Sequence, residues 1–148
     1  MPSIQKAFEE DSQVIIESAL EGREVSVGVA AFEGKIHVLP ITEIITENEF
    51  FDYAAKYEGE SQEITPAQIP LEWKEKVEKY SKEIYHKLEL KGVVRSEFIF
   101  VNGEPHLLEI NTVPGLTNDS IIPQQVIAMG IEISDFYNLL LLQVLHKN

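Results

Sequence analysis

Alternating apolar and polar residues mark the first predicted strand of the chain, over residues 24–32, where valine is frequent. The Glu33-Gly34 pair that follows is typical of a two-residue hairpin turn. Residues 35–39 then return as the partner strand, which ends at Pro40. The pattern therefore predicts an antiparallel pair of strands in the first third of the chain.

A helical repeat is clearest over residues 71–90, where apolar side chains recur every three or four positions. These side chains are Trp73, Val77, Tyr80, Ile84 and Leu88. Gly92 follows, as glycine often follows the end of a helix. Shorter elements are predicted elsewhere, namely helices over 4–10, 123–129 and 135–146 and a strand over 14–16. Ser134 is a candidate N-cap for the last of these helices.

Two further strands, over 93–101 and 104–110, are joined by an Asn-Gly pair that is typical of hairpin turns. Because hairpins pair strands antiparallel, the order of elements predicts an α+β fold, a mainly antiparallel sheet with packed helices on one face. Residues 47–70 lack a long periodicity, and loops of that length are usually functional or disordered. We expect a mobile loop there, with a short helix over 52–56.

The second hairpin gathers polar side chains at one end of the sheet. Arg95 and Glu97 share one face of their strand, and Glu109 and Asn111 share one face of theirs. A two-residue turn would pair position 97 with 108 and put the two carboxylates on opposite faces. A three-residue loop over 101–103 would pair 95 with 109 and 97 with 107, and would bring all four side chains to one face. Apolar burial favours this second register, because it leaves the other face to Val94, Phe98, Phe100, Leu108 and Ile110.

This cluster of charges has two interpretations. Two neighbouring carboxylates repel each other unless a cation lies between them, and hard oxygen ligands suit Mg²⁺ bound to substrate phosphates. The Arg95 guanidinium would then orient an anion, and backbone N–H groups of the loop over 111–115 would serve an oxyanion. Alternatively, Arg95 forms a surface salt bridge with Glu97 or Glu109.

Composition narrows the classes of function. Acidic residues outnumber basic ones by 25 to 12, for a net charge of -13, which argues against nucleic acid and anionic membrane surfaces as partners. With no cysteine, thiolate zinc sites and cysteine nucleophiles are excluded. The longest apolar cluster, around 139–145, is too short to cross a membrane, and the first residues lack the features of a signal peptide. We expect a cytoplasmic protein.

The loop after the carboxylate-bearing strand carries a family resemblance. Residues 108–123, Leu-Glu-Ile-Asn-Thr-Val-Pro-Gly-Leu-Thr-Asn-Asp-Ser-Ile-Ile-Pro, resemble the C-terminal signature of D-alanine–D-alanine ligases, which are members of the ATP-grasp superfamily. Segments 17–24, 51–57 and 92–97 are similar to other parts of that family, in the same order. The resemblance extends over nearly the whole chain.

The resemblance implies an enzyme that phosphorylates one D-alanine with ATP and joins it to the amine of a second, for peptidoglycan synthesis. It implies two Mg²⁺ ions, or Mn²⁺, held by Glu97, Glu109 and Asn111. It implies an oxyanion site made by Arg95 and the Gly115 N–H, with Tyr57 closing the mobile loop over it. The implied ATP-binding residues are Glu17, Leu20, Glu24 and Lys56, and those for the second D-alanine are Ser120 and Ile121. Glu97 stands where the family usually has Asp.

The resemblance also implies a division of the chain. Residues 1–24 would be the end of the central ATP-binding subdomain, and 25–148 the C-terminal subdomain. The N-terminal domain of the family has no counterpart in this sequence, so we expect the chain alone to be inactive. A homodimer of the longer protein is left open. Two other functions are left open as well: an ATP-grasp ligase with D-lactate or D-serine as acceptor, and a non-catalytic acidic module that binds divalent cations or a protein partner.

Overall fold

A computed structural model describes residues 2–46 and 61–145 of the chain. The elements, in chain order, are α1 (Pro2–Glu10), β1 (Arg23–Phe32), β2 (Lys35–Val38), β3 (Thr42–Thr46), β4 (Ser61–Ile64), α2 (Leu71–Lys87), β5 (Val93–Val101), β6 (Glu104–Asn111), α3 (Ile121–Ala128) and α4 (Ile133–Leu145). The predicted short helix over 52–56, and with it Lys56 and Tyr57, lies outside the described residues.

The six strands form one antiparallel sheet in the order β4-β3-β1-β5-β6, and β2 pairs with the second half of β1. The predicted α+β class, a mainly antiparallel sheet with packed helices, is therefore confirmed. β1 lies in the middle of the sheet because its ten residues are long enough to pair with β3 near one end, β2 near the other and β5 along most of its length.

Helices cover both faces of the sheet, so the prediction of helices on one face is wrong. Val25 and Val27 of β1 pack with Val77 of α2, whereas the even-numbered Ala30 packs with Val126 of α3 and with α4. Successive strand residues point to opposite faces, so α2 lies on one face and the C-terminal helices lie on the other. The physical reason is that the second half of β1, residues 29–32, is apolar at both parities, as expected of a strand segment buried on both sides.

Several boundaries differ from those predicted. No strand forms over 14–16, where Ile15 and Ile16 are 85% and 73% exposed. Part of the predicted loop, Ser61–Ile64, is a strand that pairs with β3. The last helix begins at Ile133, so Ser134 lies in its first turn and is not its N-cap. α1 confirms the predicted helix over 4–10 and buries none of its residues.

Helix α2 ends at Lys87, three residues before the predicted end. Glu89 and Gly92 both have positive φ, at 51° and 65°, which a continuing helix excludes. Within the described ranges, no single helix has the length and apolar composition to cross a membrane; α3 and α4 meet these criteria only when taken together, and they meet at 104°.

Candidate functional site

The turn of the second hairpin has two residues, not the predicted three. Asn102 and Gly103 both have positive φ, at 53° and 82°, and Val101 pairs with Glu104. Both signs of φ are those of a type I′ turn, which matches the twist of paired strands. The predicted pairs, 95 with 109 and 97 with 107, are therefore wrong.

A β-bulge restores the predicted shared face. Phe98 pairs with Leu107, but Glu97 pairs with Glu109, so Leu108 is an extra residue on β6. Beyond this bulge, Arg95 pairs with Asn111, and the four polar side chains lie on one face of the sheet. The bulge thus brings the four polar side chains to one face, as the three-residue loop was expected to do. Leu107 and Leu108 are both 44% exposed, and these two adjacent apolar residues interrupt the alternation of the strand at the bulge.

The two carboxylates differ in their surroundings. Glu97 is 3% exposed on the inner strand of the hairpin, and Glu109 is exposed on the edge strand opposite it. Side chains opposite each other in an antiparallel pair have Cβ atoms roughly 5 Å apart. Two carboxylates at that separation destabilise each other unless positive charge lies close by.

Arg95 supplies some of that positive charge. Its Nη2 lies 2.8 Å from Glu97 Oε1, and both side chains are largely buried. The alternative of a salt bridge is therefore correct in its partners but wrong in its place, because the pair is not at the surface. Arg95 Nε is buried and has no hydrogen-bond partner among the described residues, so the guanidinium keeps N–H donors beyond the one that contacts Glu97.

The central strand adds residues to the same face. Ser26 pairs with Glu97 and Gly28 with Arg95, so Glu24, two residues earlier, also lies on the face of the polar cluster. The predicted ribose residue and the predicted metal ligands are thus on one surface. The predicted adenine residues, Glu17 and Leu20, lie in the irregular segment that leads into β1, the first exposed and the second half-buried.

The loop after β6 is held in place by short polar contacts. Asn111 Oδ1 accepts a hydrogen bond from the Val113 N–H at 3.0 Å, which turns the chain sharply away from the strand. The Tyr137 hydroxyl of α4 donates to the Leu116 carbonyl at 2.7 Å. Both ends of the loop are therefore fixed, one to the hairpin and the other to the C-terminal helix.

Gly115 and Ser120 are close together at the end of this loop. A Cβ on Gly115 would lie 2.7 Å from Ser120 Oγ, so only glycine fits without a shift. Ser120 has the extended backbone of an N-cap, but its side chain makes no capping hydrogen bond to α3. Its Oγ instead lies 2.8 Å from Thr117 Oγ1. With the buried Ile121, Ser120 thus forms the N-terminus of α3, where backbone N–H groups and the helix dipole favour an anion.

The donors of the hairpin fit a hard divalent cation. In the described part of the chain, no three His, Cys, Asp or Glu side chains gather into a metal cluster. What the hairpin offers is two carboxylates and one amide oxygen, from Glu97, Glu109 and Asn111. Mg²⁺ is typically bound by one or two carboxylates and completes its shell with water and substrate phosphates, so this donor set suits it.

One buried polar residue beside the site was missed by sequence reasoning. Gln125 of α3 is fully buried and makes three hydrogen bonds to β1 and β3. The burial of Gln125 could have been predicted from the sequence, because Gln125 lies four residues after Ile121 and so falls on the same, buried side of the helix. A glutamine at a buried helical position needs polar partners, and the sheet supplies them.

The chain is similar to known proteins of one family. Residues 1–142 match the family model described as D-ala D-ala ligase C-terminus. The D-alanine–D-alanine ligase of Flavobacterium johnsoniae is 56% identical over 135 residues, which are 91% of this chain and 42% of that protein. The enzyme of the same name from Christiangramia forsetii is 56% identical over 131 residues, 88% of this chain and 40% of that protein.

Solved structures with the same fold include two ligases. The D-alanine–D-alanine ligase of Bacillus anthracis complexed with ATP superposes with a TM-score of 0.80 at 31% identity, covering 98% of this chain and 45% of that one. The VanG D-Ala:D-Ser ligase of Enterococcus faecalis gives a TM-score of 0.79 at 30% identity, covering 95% and 41%. This chain thus spans about two fifths of the length of the curated relatives that it matches.

Proposed function

Because the chain belongs to the family of D-alanine–D-alanine ligase C-terminal domains, we propose that it supplies the catalytic face of an ATP-dependent ligase that joins two D-alanines. The observation that carries the proposal is the shared face of Arg95, Glu97, Glu109 and Asn111. We assign residues 1–24 to the end of the central ATP-binding subdomain and 25–148 to the C-terminal subdomain. We place the reaction in the cytoplasm, in the synthesis of peptidoglycan precursors.

In the proposed reaction, a carboxylate oxygen of the first D-alanine attacks the γ-phosphorus of ATP, which gives an acyl phosphate and ADP. The amine of the second D-alanine then attacks the carbonyl carbon, the bond from that carbon to the phosphate oxygen breaks, and the amine loses a proton. Most of the catalysis in such a sequence is positioning and neutralisation of charge. A cluster of ionic groups that extends from the buried Glu97 to the exposed Glu109 is suited to that task.

The residues of the second hairpin have different roles in this reaction. Glu97, Glu109 and Asn111 would hold Mg²⁺, whose chemistry is to neutralise phosphate charge. Arg95, which already contacts Glu97, has a further N–H donor with which to stabilise the oxyanion of the tetrahedral intermediate. The Gly115 N–H is the second donor that we propose for it.

The second D-alanine would bind at the N-terminus of α3. Its carboxylate would be held by the Ser120 hydroxyl and the Ile121 N–H, where the helix dipole favours negative charge. On the nucleotide side, Glu17 and Leu20 would contact adenine, and Glu24 the ribose. Lys56 would contact the phosphates and Tyr57 would help to close the site. The D-serine alternative has one specific support, the similarity to the VanG D-Ala:D-Ser ligase, and the curated relatives at 56% identity favour D-alanine.

The test measures phosphate release from ATP and Mg²⁺ by the full-length protein that carries this chain, with and without D-alanine. We expect release that depends on D-alanine and falls on the order of 100-fold in Glu97→Gln, because an anionic ligand that would hold Mg²⁺ is lost. The matched control is Glu104→Gln, which removes an exposed carboxylate at the other end of the same hairpin. We expect this chain alone not to ligate.

Other outcomes would redirect the proposal. Release that depends on D-serine or D-lactate, and not on a second D-alanine, would keep the chemistry and change the acceptor. ATP binding with no amino-acid-dependent release would place the substrate elsewhere. If neither ATP binding nor release is found, the proposal falls and a non-catalytic acidic module replaces it.

A further inference from the structure

The side-chain amide of Gln125 is the polar link between helix α3 and the centre of the sheet. The side chain is fully buried. Its Oε1 accepts a hydrogen bond from the Gly28 N–H at 2.9 Å, and its Nε2 donates to the Ser26 carbonyl at 2.9 Å and to Thr42 Oγ1 at 3.0 Å. The oxygen and the nitrogen of the amide are thus each hydrogen-bonded to a backbone atom of β1.

The partners of Gln125 lie at a gap in the sheet. On one side, β1 pairs with β3 over Glu24–Ser26 and with β2 from Val29 onward, so Val27 and Gly28 have no ladder partner there among the described residues. The Gly28 carbonyl accepts a hydrogen bond from the Leu39 N–H at 2.8 Å, which leaves the Gly28 N–H to Gln125. With its oxygen and one of its two N–H donors, the side-chain amide bonds to β1 as a peptide group of a neighbouring strand would, and the second N–H donates to Thr42 Oγ1. It therefore satisfies backbone groups that would otherwise be buried unpaired.

Gly28 lets the helix come this close. A Cβ at that position would lie 2.6 Å from Ile122 Cδ1, 2.7 Å from Gln125 Oε1 and 2.7 Å from Leu39 Cδ1. A side chain on Gly28 would therefore displace the ends of these three side chains, among them the Gln125 oxygen that accepts from the Gly28 N–H. The glycine and the glutamine together fix the separation between the helix and the sheet.

This link joins the two halves of the proposed site. On the other side of β1, Ser26 pairs with Glu97 and Gly28 pairs with Arg95. On the helix, Gln125 lies five residues after Ser120, within an element of only eight residues. The same side chain is thus bound to the strand beside the reacting groups and to the helix whose N-terminus would hold the acceptor.

We propose that Gln125 is a positioning residue, whose hydrogen bonds to Gly28 and Ser26 set the place of the α3 N-terminus relative to Arg95 and Glu97. The inference rests on the proposed function, because the N-terminus of α3 is the proposed site of the acceptor carboxylate. Loss of the amide should then impair use of the acceptor and leave formation of the acyl phosphate intact.

The experiment compares two reactions in the full-length protein that carries this chain, as wild type and as Gln125→Leu. Dipeptide formation needs the acceptor carboxylate at α3. Trapping of the acyl phosphate with hydroxylamine does not, because hydroxylamine has no carboxylate. In Gln125→Leu we expect the KM for the acceptor D-alanine to rise about tenfold or more, since small misplacements carry large kinetic costs. The rate of hydroxamate formation and the KM for ATP should change less than twofold.

A control variant separates an effect on the position of α3 from an effect on the stability of the protein. Val126→Ala removes buried apolar contact from the neighbouring residue of α3 and leaves the amide in place. Even if Val126→Ala lowers the melting temperature as much as Gln125→Leu does, it should leave the KM for the acceptor D-alanine unchanged. Gly28→Ala is the second test, because its methyl group would displace the Gln125 oxygen from the Gly28 N–H and should raise the acceptor KM as Gln125→Leu does.

Three results would overturn the inference. An unchanged acceptor KM in both Gln125→Leu and Gly28→Ala would refute it while the proposed function stands. If Gln125→Leu lowers the rates of hydroxamate and dipeptide formation equally, then Gln125 stabilises the whole sheet and does not specifically position α3. If the wild-type protein forms neither product, the proposed function itself has failed and the inference fails with it.

Discussion

At Gly115 a hydrogen atom occupies the space where a side chain would meet Ser120. The backbone there does not have positive φ, so the need for glycine comes from the neighbour and not from the turn. Gly28 is a second case, since its missing side chain admits Gln125. At the scale of single residues, the site depends on short contacts that only glycine allows. Gly115 leaves room for Ser120, and Gly28 leaves room for Gln125.

Gly115→Ala should therefore damage the site without unfolding the protein. The new methyl group would displace Ser120 and the backbone N–H that we propose as an oxyanion donor, and loss of one such donor lowers kcat about 100-fold. The stability cost should stay below about 1 kcal/mol because the loop is exposed. Measurements of kcat and thermal unfolding check this, with the exposed Val113→Ala as the control in the same loop. A fully active Gly115→Ala would contradict the role of this loop.

At the scale of elements, the two hairpins have the same kind of turn in different surroundings. Glu33-Gly34 and Asn102-Gly103 both have positive φ at both positions. Gly34 has open space around it, whereas a Cβ on Gly103 would lie 3.2 Å from Trp73 Nε1. Trp73 in turn stacks on Phe100 at 4.3 Å, so the second turn is packed against helix α2.

This difference gives a matched pair of variants. Gly34→Ala should cost about 1 kcal/mol, because alanine is strained at positive φ. Gly103→Ala should cost more than that, about 2 kcal/mol, since Trp73 must also shift. Denaturant unfolding of the two variants side by side measures the difference. Equal losses would mean that the Trp73 contact adds nothing to the stability of the hairpin.

At the scale of the whole molecule, the chain carries a net charge of -13, and its carboxylates include the facing pair of the site. Self-repulsion of this kind destabilises the folded state, and a cation that binds only the folded state relieves it. The hairpin with Glu97 and Glu109 is where such binding would be strongest.

Millimolar Mg²⁺ should therefore raise the melting temperature of this chain. Binding at tenfold above Kd stabilises by about 1.4 kcal/mol, which corresponds to a shift of roughly 3–6 °C in a domain of this size. The shift should disappear in a Glu97→Gln, Glu109→Gln double variant and should not be reproduced by the same ionic strength of NaCl. If neither Mg²⁺ nor Ca²⁺ moves the transition, the hairpin has no preformed cation site.

The sequence by itself determined the local features of this protein. Periodicity predicted α2, β1 and both strands of the second hairpin, because side-chain spacing depends only on the local backbone geometry. It also determined that Arg95 and Glu97 share a face, as Glu109 and Asn111 do, because residues two apart in a strand always do. The family motif in residues 108–123 needed no structure, since it is a property of the residues in order.

Tertiary structure decided how these pieces meet. Whether the two polar pairs share one face depended on the bulge at Leu108, because one extra residue on a strand reverses the face of every side chain beyond it. The side on which each helix packs, and the place of Gln125 at the gap in the sheet, depend on contacts between residues almost a hundred positions apart. Such contacts are set by burial and by the pairing of backbone groups across the whole domain, and neighbouring residues carry no record of them.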